Sequence, residues 1–498
     1  MTAAVARTVG GLTSIAMALL AGHLSVASTT PAPAHPVGPR ADAAPLPGLS
    51  ADAPAADPGK VRARLAGPLG AALLNKPQAL VVDAATGAVL LDDRAGTTSV
   101  PASTLKLVTA AAVLTTFAPD TRFSTRVAFA APSSSPTSTS SPTSSSSPAR
   151  SGSPATSGTP AATGAAGRAA SSPTTPARPA TLWLIGGGDP SLTAATGARD
   201  YPSAARLSDL AAAVRRSGVR SVGSVLGDGS LFTGPTTGPG WRDSYRVTGN
   251  ITPVSALEVD GGRSAPGSTG ARSSDPARQA ADDFATALRR VGVDVGSVGT
   301  GVAPAGTRTL ATVASPTVPV LVEHMLTNSD DDQAEAMGRL VAHARGLPAT
   351  FAGATQALRD TLDTLGVPTA GLSLADASGL SPDDRLTPRT LVTLLRTATL
   401  TSHDNLRPLL AGLPVAGFSG TLADRYQTAA DAAGAGTVRA KTGSLSEATT
   451  LAGQVVDADG RLVLFAFLAP VAQSDATSAA LDAVASALAG CGCAPRQR

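Results

Sequence analysis

The sequence predicts an α/β protein, and three observations carry this prediction. Pairs of short apolar runs separated by turn residues lie near both ends of the chain, at 79–91 and 449–469, and are typical of β-hairpins. Strands alternate with helices from residue 182 to about 305, which predicts a smaller α/β unit there. Longer helical patterns follow residue 317.

Folded structure is expected to begin near residue 60. In chain order, the predicted elements are a helix at 61–74, strands at 79–83 and 88–91, a helix that begins near Ser103, strands at 123–129 and 181–185, helices at 318–326, 332–345, 355–365 and 388–399, strands at 449–457 and 461–469, and a helix at 474–489. Residues 210–225 and 284–298 each run from a helix through two arginines into Gly-Val and a strand, which indicates two related halves.

Residues 131–180 consist almost entirely of Ser, Pro, Thr, Ala and Gly. Such a segment cannot bury enough apolar surface to offset the entropy of ordering its backbone, so we expect it to be disordered. Because it separates two strand-like runs, we interpret it as the enlarged loop of a hairpin. Loop closure entropy rises only slowly with length, which makes such an insertion tolerable.

The N-terminus has the pattern of an export signal. Arg7 precedes an apolar segment from about 10 to 21, and Ser25-Val26-Ala27 resembles a cleavage site, so residues 1–27 are predicted to be a signal peptide. An uncleaved N-terminal anchor is the alternative. Residues 28–59, rich in Pro, Ala and Asp, are expected to form a flexible spacer. With no second long apolar run, we expect an exported mature chain without an integral membrane domain.

Composition limits the function classes. The 498 residues, 43% of them hydrophobic, predict two or three domains. Only 15% are charged and the net charge is +3, so we find no nucleic-acid signature. Both cysteines, Cys491 and Cys493, lie in a C-terminal Cys-Gly-Cys, where they could pair, bind a partner or stay free.

The strongest candidate for chemistry is Ser103-Thr-Leu-Lys106, at the start of a predicted helix. A serine hydroxyl needs a base, and an amine one turn along the same helix can supply it. The ordinary alternative is a helix N-cap followed by an exposed lysine. The chain has only four lysines against 35 arginines. A lysine retained in such a chain indicates a position that needs an amine able to lose its proton.

Two further polar clusters interrupt apolar surroundings. Ser329-Asp-Asp331 lies between two predicted helices, and Lys441-Thr-Gly443 lies on a predicted strand. Alone, each is typical of a helix cap or an edge strand. Together and in this order, the three clusters match the S-x-x-K, S-D-N and K-T-G signature of penicillin-recognising serine enzymes.

The chain resembles the D-alanyl-D-alanine carboxypeptidase/endopeptidase family, the class C low-molecular-mass penicillin-binding proteins or peptidase family S13. The similarity extends from about residue 60 to the final helix, apart from the low-complexity insert. Supporting segments are Gly186-Gly-Gly-Asp-Pro-Ser-Leu192, Trp241 through Gly262, Asp376-Ala-Ser-Gly-Leu-Ser381, Leu413-Pro-Val-Ala-Gly417, Gly420-Thr-Leu422 and Val438-Arg-Ala-Lys-Thr-Gly443.

The resemblance implies a transpeptidase/β-lactamase-like fold, an antiparallel sheet flanked by helices and split by an inserted smaller α/β domain. Ser329 follows Ser103 by more than two hundred residues, which leaves room for that domain. The predicted organisation is a signal peptide at 1–27, a spacer at 28–59, the transpeptidase-like domain at 60–130 and 310–490, the disordered insert at 131–180, the inserted domain at 181–309 and a tail at 491–498.

The resemblance also implies a mechanism. Ser103 would attack the carbonyl of the penultimate D-alanine of a peptidoglycan stem peptide, and Lys106 would be the base, directly or through Ser329. Lys441, Thr442 and Gly443 belong to the predicted binding site for the substrate carboxylate. The N–H groups of Ser103 and Ser444 would form an oxyanion hole. β-Lactams would bind the same site, Ser378 would line it, and no cofactor or metal is implied.

One position departs from the family pattern. The motif Asn is Asp331 here, an acceptor in place of an amide that can donate to the substrate. A carboxylate beside Lys106 would hold the amine's proton and make it a weaker base. Asp331, counted among the substrate-binding residues, therefore predicts reduced or altered peptidase activity.

Three alternatives stay open from the sequence. A Ser-His-Asp triad is one, with His324 nearest to the motifs, although the histidines lack a recognised context. A secreted β-lactamase is another, but the chain has no Glu-x-x-Leu-Asn element of the class A type. The third is a catalytically weakened wall-binding protein.

Overall fold

The computed structural model describes residues 50, 52–130, 180–197 and 201–495. The predicted signal peptide, most of the spacer and nearly all of the insert lie outside these ranges. The strands are β1 (Gln78–Asp83), β2 (Val89–Asp93), β3 (Ser124–Ala130), β4 (Thr181–Ile185), β5 (Ser221–Asp228), β6 (Asp294–Thr300), β7 (Arg308–Ala314), β8 (Val438–Ser444), β9 (Thr449–Val456) and β10 (Leu462–Ala469). The helices are α1 (Pro58–Leu69), α2 (Lys106–Thr116), α3 (Leu207–Arg216), α4 (Ser244–Val247), α5 (Pro276–Arg290), α6 (Val318–Asn328), α7 (Asp331–Ala344), α8 (Phe351–Thr364), α9 (Pro388–Thr399), α10 (Arg407–Ala411) and α11 (Asp475–Ala489).

The first sheet has the order β2-β1-β10-β9-β8 and is antiparallel throughout. Both predicted hairpins, β1–β2 and β9–β10, are therefore confirmed. Strand β1 from near the start of the folded chain pairs with β10 from near its end, with Val81 opposite Phe465. The predicted fold class, an antiparallel sheet flanked by helices in an α/β protein, is confirmed.

Helices cover both faces of this sheet. Along β10, Phe465 and Phe467 pack with α1 and α11, whereas Leu464 and Leu468 pack with α2 and α6–α9. Successive side chains of a strand point to opposite faces, so a strand buried on both sides is apolar at every position. This explains why residues 461–469 form an almost continuous apolar run instead of an alternating one.

The second sheet has the order β6-β5-β4-β3-β7. Strands β3 and β4 are antiparallel, with Arg126 opposite Ile185, so the hairpin predicted around the insert is confirmed. Strands β4, β5 and β6 are parallel to each other. Because β3 and β7 also belong to this sheet, it extends beyond the predicted inserted segment 181–309 at both ends. The division into domains stays a prediction.

The two related halves correspond to adjacent helix–strand units, α3 with β5 and α5 with β6. In each unit a glycine follows the paired arginines and has a positive φ, +95° at Gly218 and +75° at Gly292. Glycine takes this backbone conformation without the steric cost of a side chain, and it commonly ends a helix. The repeated sequence pattern therefore specifies two equivalent helix-to-strand turns.

The two ends of the folded chain refine one prediction and decide between alternatives that the sequence left open for the cysteines. The predicted helix 61–74 is α1 followed by a separate 3₁₀ turn, Ala72–Leu74, because Gly70 caps α1. Cys491 and Cys493 form a disulfide, and the backbone N–H of Asp57 donates to the Cys493 carbonyl. No helix in the described ranges combines the length and the apolar character needed to cross a bilayer.

Candidate active site

Ser103 and Lys106 lie at the junction of two helical segments. Ser103 is in a 3₁₀ turn, Ala102–Leu105, and Lys106 is the first residue of α2. The residue before the serine, Ala102, has a φ of +46°, which is uncommon outside glycine. This geometry turns both side chains to one side, and Lys106 Nζ donates to Ser103 Oγ at 2.9 Å.

The Lys106 side chain is completely buried, and its amine makes three hydrogen bonds. Besides Ser103 Oγ, Nζ donates to Asp331 Oδ1 at 2.5 Å and to the Ser378 carbonyl at 2.7 Å. An ammonium has three N–H donors, so the amine is fully satisfied in this arrangement. Proton transfer from the serine requires that the amine first lose one of these protons.

The second motif lies at the turn between α6 and α7. Ser329 ends α6 with a φ of +57°, and the Asp330 side chain caps α7 by accepting from the Gln333 N–H. Asp331 then begins α7 and reaches Lys106, whereas the hydrogen bonds of the amine do not include Ser329. Burial raises the pKa of the Asp331 carboxyl, and the charge of Lys106 opposes this rise.

The third motif lies on β8, the edge strand of the first sheet. Lys441 is completely buried and donates to the Thr442 carbonyl at 2.8 Å. Burial lowers the pKa of Lys441 well below its usual value, and the neighbouring Lys106 adds to this effect. Thr442 Oγ1 donates to Thr421 Oγ1 at 2.9 Å, and Ser444 is exposed at the end of the strand.

The motifs surround one cleft of about 670 Å³. Ser103, Ser329, Asp331, Thr442 and Ser444 line it. Lys106 and Lys441 are buried beneath this surface. The structure thus brings together the predicted site residues from three distant parts of the chain.

Further walls of the cleft come from other segments. Tyr245, which belongs to α4, and Asn250 contribute to the lining, as do Leu380 and Thr421. These positions do not belong to the three motifs, and sequence reasoning assigned them no role. Asn250 also lines a neighbouring cleft of about 620 Å³ that shares Ser329 and Asp331.

Two glycines let the backbone pack directly on the Ser103 turn. A Cβ at Gly443 would lie 2.8 Å from the Pro101 carbonyl oxygen, and one at Gly379 would lie 2.0 Å from the Ala102 carbonyl oxygen. Gly379 also has a φ of +85°, so a side chain there meets both strain and a clash.

The segment Asp376–Ser381 is held by two buried acidic side chains whose role sequence reasoning missed. Asp376 accepts from the N–H groups of Gly379 and Ser381 at 2.7 Å each, and Glu335 accepts from those of Ala377 and Ser378. Burial, with Asp376 close by, raises the pKa of Glu335 to about 8. Glu335 lies four residues after Asp331, and this spacing on one helix face is a signal that could have identified it.

Ser378 has a different place from the one expected. Its side chain is completely buried, so the expectation that it lines the pocket is wrong. The close approach of the Ser-Gly segment to the Ser103 turn leaves only its carbonyl facing Lys106.

The histidines in the described ranges do not reach Ser103. His324 Nδ1 lies 2.9 Å from Gln333 Oε1, and His403 Nδ1 lies 2.9 Å from Ser402 Oγ. Because the side-chain partner of Ser103 Oγ is Lys106, the geometry favours a Ser/Lys pair over a Ser-His-Asp triad.

Comparison with known proteins agrees with this geometry. The profile of the D-Ala-D-Ala carboxypeptidase 3 (S13) family matches residues 65–138, 168–269 and 262–489, which include all three motifs. The chain belongs to this family. The predicted resemblance is therefore confirmed, and with it the assignment to a family of peptidases.

Relatives in the S13 family are similar over most of their length. A carboxypeptidase of Mycolicibacterium smegmatis is 38% identical over 490 residues, which are 96% of this chain and 94% of the relative. A carboxypeptidase of Mycobacterium tuberculosis is 38% identical over 424 residues, 84% of this chain and 81% of the relative. A D-alanyl-D-alanine carboxypeptidase of Actinomadura is 31% identical over 489 residues, which cover 82% of this chain and 80% of the relative.

The fold is shared with a solved structure, penicillin-binding protein 4 of Haemophilus influenzae. The TM-score is 0.64 at 19% identity, covering 86% of this chain and 97% of that one. A second structure of that protein, complexed with a β-lactam, has a TM-score of 0.60. The predicted penicillin-binding transpeptidase fold is confirmed by this similarity.

Proposed function

We propose that this S13 family member is a serine-type D-Ala-D-Ala carboxypeptidase that acts on peptidoglycan stem peptides through an acyl-enzyme on Ser103. The observation that carries the proposal is the hydrogen bond from Lys106 Nζ to Ser103 Oγ at 2.9 Å, beside a cleft lined by Thr442 and Ser444. A nucleophile paired with a base and facing an open cleft is what acyl transfer requires.

In the proposed reaction, neutral Lys106 takes the hydroxyl proton of Ser103 while Oγ bonds to the carbonyl carbon of the penultimate D-alanine. The backbone N–H groups of Ser103 and Ser444 stabilise the oxyanion of the tetrahedral intermediate. Its collapse breaks the peptide bond, and Ser329 relays a proton to the departing D-alanine amine. Water then hydrolyses the ester and restores Ser103.

The substrate carboxylate is assigned to the β8 motif. Thr442 and Ser444 supply hydroxyls to the cleft, and Lys441 lies buried behind them, where its amine fixes the Thr442 carbonyl. Gly443 allows β8 to approach the Ser103 turn. A β-lactam carries a carboxylate and a reactive carbonyl, so it would occupy the same positions and acylate Ser103.

A second candidate, a wall-binding protein with weakened turnover, is favoured by one contact. Asp331 Oδ1 lies 2.5 Å from Lys106 Nζ, closer than Ser103 Oγ at 2.9 Å. An ion pair stabilises the protonated amine, which cannot accept the serine proton. Substrate would then bind in the cleft while acylation is slow.

The site of action is proposed to be outside the cytoplasmic membrane, where peptidoglycan is found. Residues 1–27 would direct export, and the chain would be released after cleavage or held by an uncleaved N-terminus. Cell fractionation with N-terminal sequencing tests this: a mature N-terminus near residue 28 supports release, and a cytoplasmic full-length chain contradicts export.

Incubation of the purified protein with a fluorescent penicillin tests the proposed function. A covalent adduct that persists on the wild type and is absent in Ser103→Ala supports the carboxypeptidase. Ser217→Ala is the matched control, because this serine ends α3 beside the second sheet. Rapid turnover supports a β-lactamase, and a folded wild type that forms no adduct supports the binding protein. Release of D-alanine from a synthetic stem peptide then measures the activity directly.

A further inference from the structure

The carbonyl that contacts the Lys106 amine is held in place by a carboxyl group of α7. Lys106 Nζ donates to the Ser378 carbonyl at 2.7 Å. Glu335 Oε1 accepts from the N–H of Ala377 at 2.9 Å and from that of Ser378 at 2.8 Å. Both N–H groups converge on one oxygen, so Glu335 fixes the backbone just before the carbonyl that Lys106 uses.

The same segment is held from the opposite side by α2. Thr109 Oγ1 donates to the Ala377 carbonyl at 2.6 Å, and Thr109 lies three residues after Lys106, one turn along the helix. Residues 377 and 378 are therefore held between the buried carboxyl group of Glu335 and the helix that carries the lysine. All four side chains, those of Lys106, Thr109, Glu335 and Ser378, are completely buried.

The role of Glu335 differs from that of Asp376. Asp376 accepts from Ser378, Gly379 and Ser381 and from Trp241 Nε1, so it shapes the whole segment 376–381. Glu335 adds hydrogen bonds only at Ala377 and Ser378, the part of the segment that faces Lys106.

One face of α7 thus carries two residues that influence the position of the Lys106 amine. Asp331 and Glu335 are four residues apart, a spacing that places both on the same side of the helix. Asp331 contacts the amine directly, and Glu335 holds the carbonyl that the amine also contacts. Asp331 Oδ1, the Ser378 carbonyl and Ser103 Oγ are the three hydrogen-bond partners that set the direction of Nζ.

We propose that Glu335 is a positioning residue for acylation: by holding the Ala377 and Ser378 N–H groups, it fixes the Ser378 carbonyl that keeps the Lys106 amine directed at Ser103. This inference rests on the proposed function, in which Lys106 is the base. If the carbonyl shifts, the amine loses one of its partners and turns towards Asp331, whose carboxylate is the stronger acceptor.

The test compares two variants of the full chain. Glu335→Gln keeps an oxygen that accepts from both N–H groups, and Glu335→Met has a similar volume but no acceptor. Stopped-flow measurement with a fluorescent penicillin separates the Kd of the non-covalent complex from the rate constant of acylation. We expect Glu335→Met to lower this rate constant about 100-fold, which is the lower end of what a positioned base contributes, with the Kd unchanged.

Glu335→Gln, which keeps the acceptor oxygen, should retain most of the wild-type acylation rate constant. Loss of stability in Glu335→Met would not by itself explain such a difference between the two variants. Asp83→Asn is the matched control, because it weakens another buried carboxylate contact, with Arg461, in the first sheet. It should lower the melting temperature and leave acylation unchanged.

Each outcome decides the proposal. Wild-type acylation by Glu335→Met overturns it, as does an equal loss in Glu335→Gln, because the acceptor oxygen would then not matter. If Glu335→Met does not fold, Thr109→Val removes the hydrogen bond that holds the segment from the opposite side, and an unchanged rate constant in that variant overturns the inference. Failure of the folded wild type to acylate is a separate result that contradicts the proposed function itself.

Discussion

Lys106 Nζ lies 2.5 Å from Asp331 Oδ1 and 2.9 Å from Ser103 Oγ, so the proposed base is closer to a carboxylate than to the nucleophile it serves. The lysine side chain is completely buried and that of Asp331 is 14% exposed, which leaves little solvent to screen the pair. An ionised Asp331 favours the protonated amine. The same contact therefore stabilises the site and opposes its chemistry.

Replacing Asp331 by asparagine should increase acylation. The amide keeps a hydrogen-bonding oxygen near Lys106 and removes the negative charge that retains the amine's proton, so we expect the penicillin acylation rate constant at neutral pH to rise about tenfold. Asp330→Asn is the matched control, because Asp330 caps α7 and asparagine caps equally well. An unchanged or lower rate constant in Asp331→Asn would contradict the inhibitory role of the carboxylate.

Removing the lysine should cost stability as well as activity. In Lys106→Met the Asp331 carboxylate loses its buried partner, so we expect the free energy of unfolding to fall by about 3 kcal/mol and penicillin acylation to be lost. The double variant Lys106→Met/Asp331→Asn has no unpaired charge, and it should regain much of the stability without regaining acylation. Urea unfolding and adduct formation measure the two effects separately. A double variant as unstable as the single one would argue against the ion pair as the cause.

Stability should depend on pH through Glu335. Burial, with Asp376 nearby, raises the pKa of Glu335 to about 8 from an ordinary value of 4.5, so the folded chain binds more protons than the unfolded chain between these values. The free energy of unfolding therefore falls as pH rises through this window. Relative to Glu335→Gln, which has no titrating group there, the wild type should lose about 4 kcal/mol of its free energy of unfolding between pH 4.5 and pH 8.

Asp83 provides a control for this measurement, because its contribution to the free energy of unfolding changes with pH in the opposite direction. Burial alone would raise the pKa of Asp83, but hydrogen bonds from Arg461 and Thr86 outweigh it and lower the pKa. The stabilisation that Asp83 provides is present above its unfolded pKa and is lost as pH falls. Urea unfolding at several pH values checks both signs, and a wild type that gains stability relative to Glu335→Gln with rising pH would contradict the prediction.

Gly379 should be irreplaceable for acylation. A Cβ there would lie 2.0 Å from the Ala102 carbonyl oxygen, and the φ of +85° disfavours any side chain, so Gly379→Ala must displace the Ser103 turn. We expect the acylation rate constant to fall at least about 100-fold, because small displacements of reacting groups have effects of this size. Gly346→Ala is the matched control, since Gly346 has a φ of +75° with open space around it. This control should lose about 1 kcal/mol of stability and no activity.

Much of the fold and the three motifs could be predicted from the sequence, because they depend on local patterns. The apolar runs of β1 and β10 predicted strands, the paired runs at 449–469 predicted the last hairpin, and the spacing of Ser103 and Lys106 placed both on one side of a helical turn. The identity of Asp331 was also readable, and with it the expectation of a weakened base.

Only the tertiary structure decided the third contact of the lysine, the Ser378 carbonyl. Glu335 and Ser378 lie 43 residues apart in the chain, and Lys106 and Ser378 lie 272 apart, so no periodicity or motif predicts that they meet. Sequence patterns report which side of an element is buried, but the partners of a buried polar group depend on how helices and loops pack. The composition showed that lysines are scarce in this chain. Lys106 acquires its three acceptors only when α2, α7 and the segment 376–381 come together.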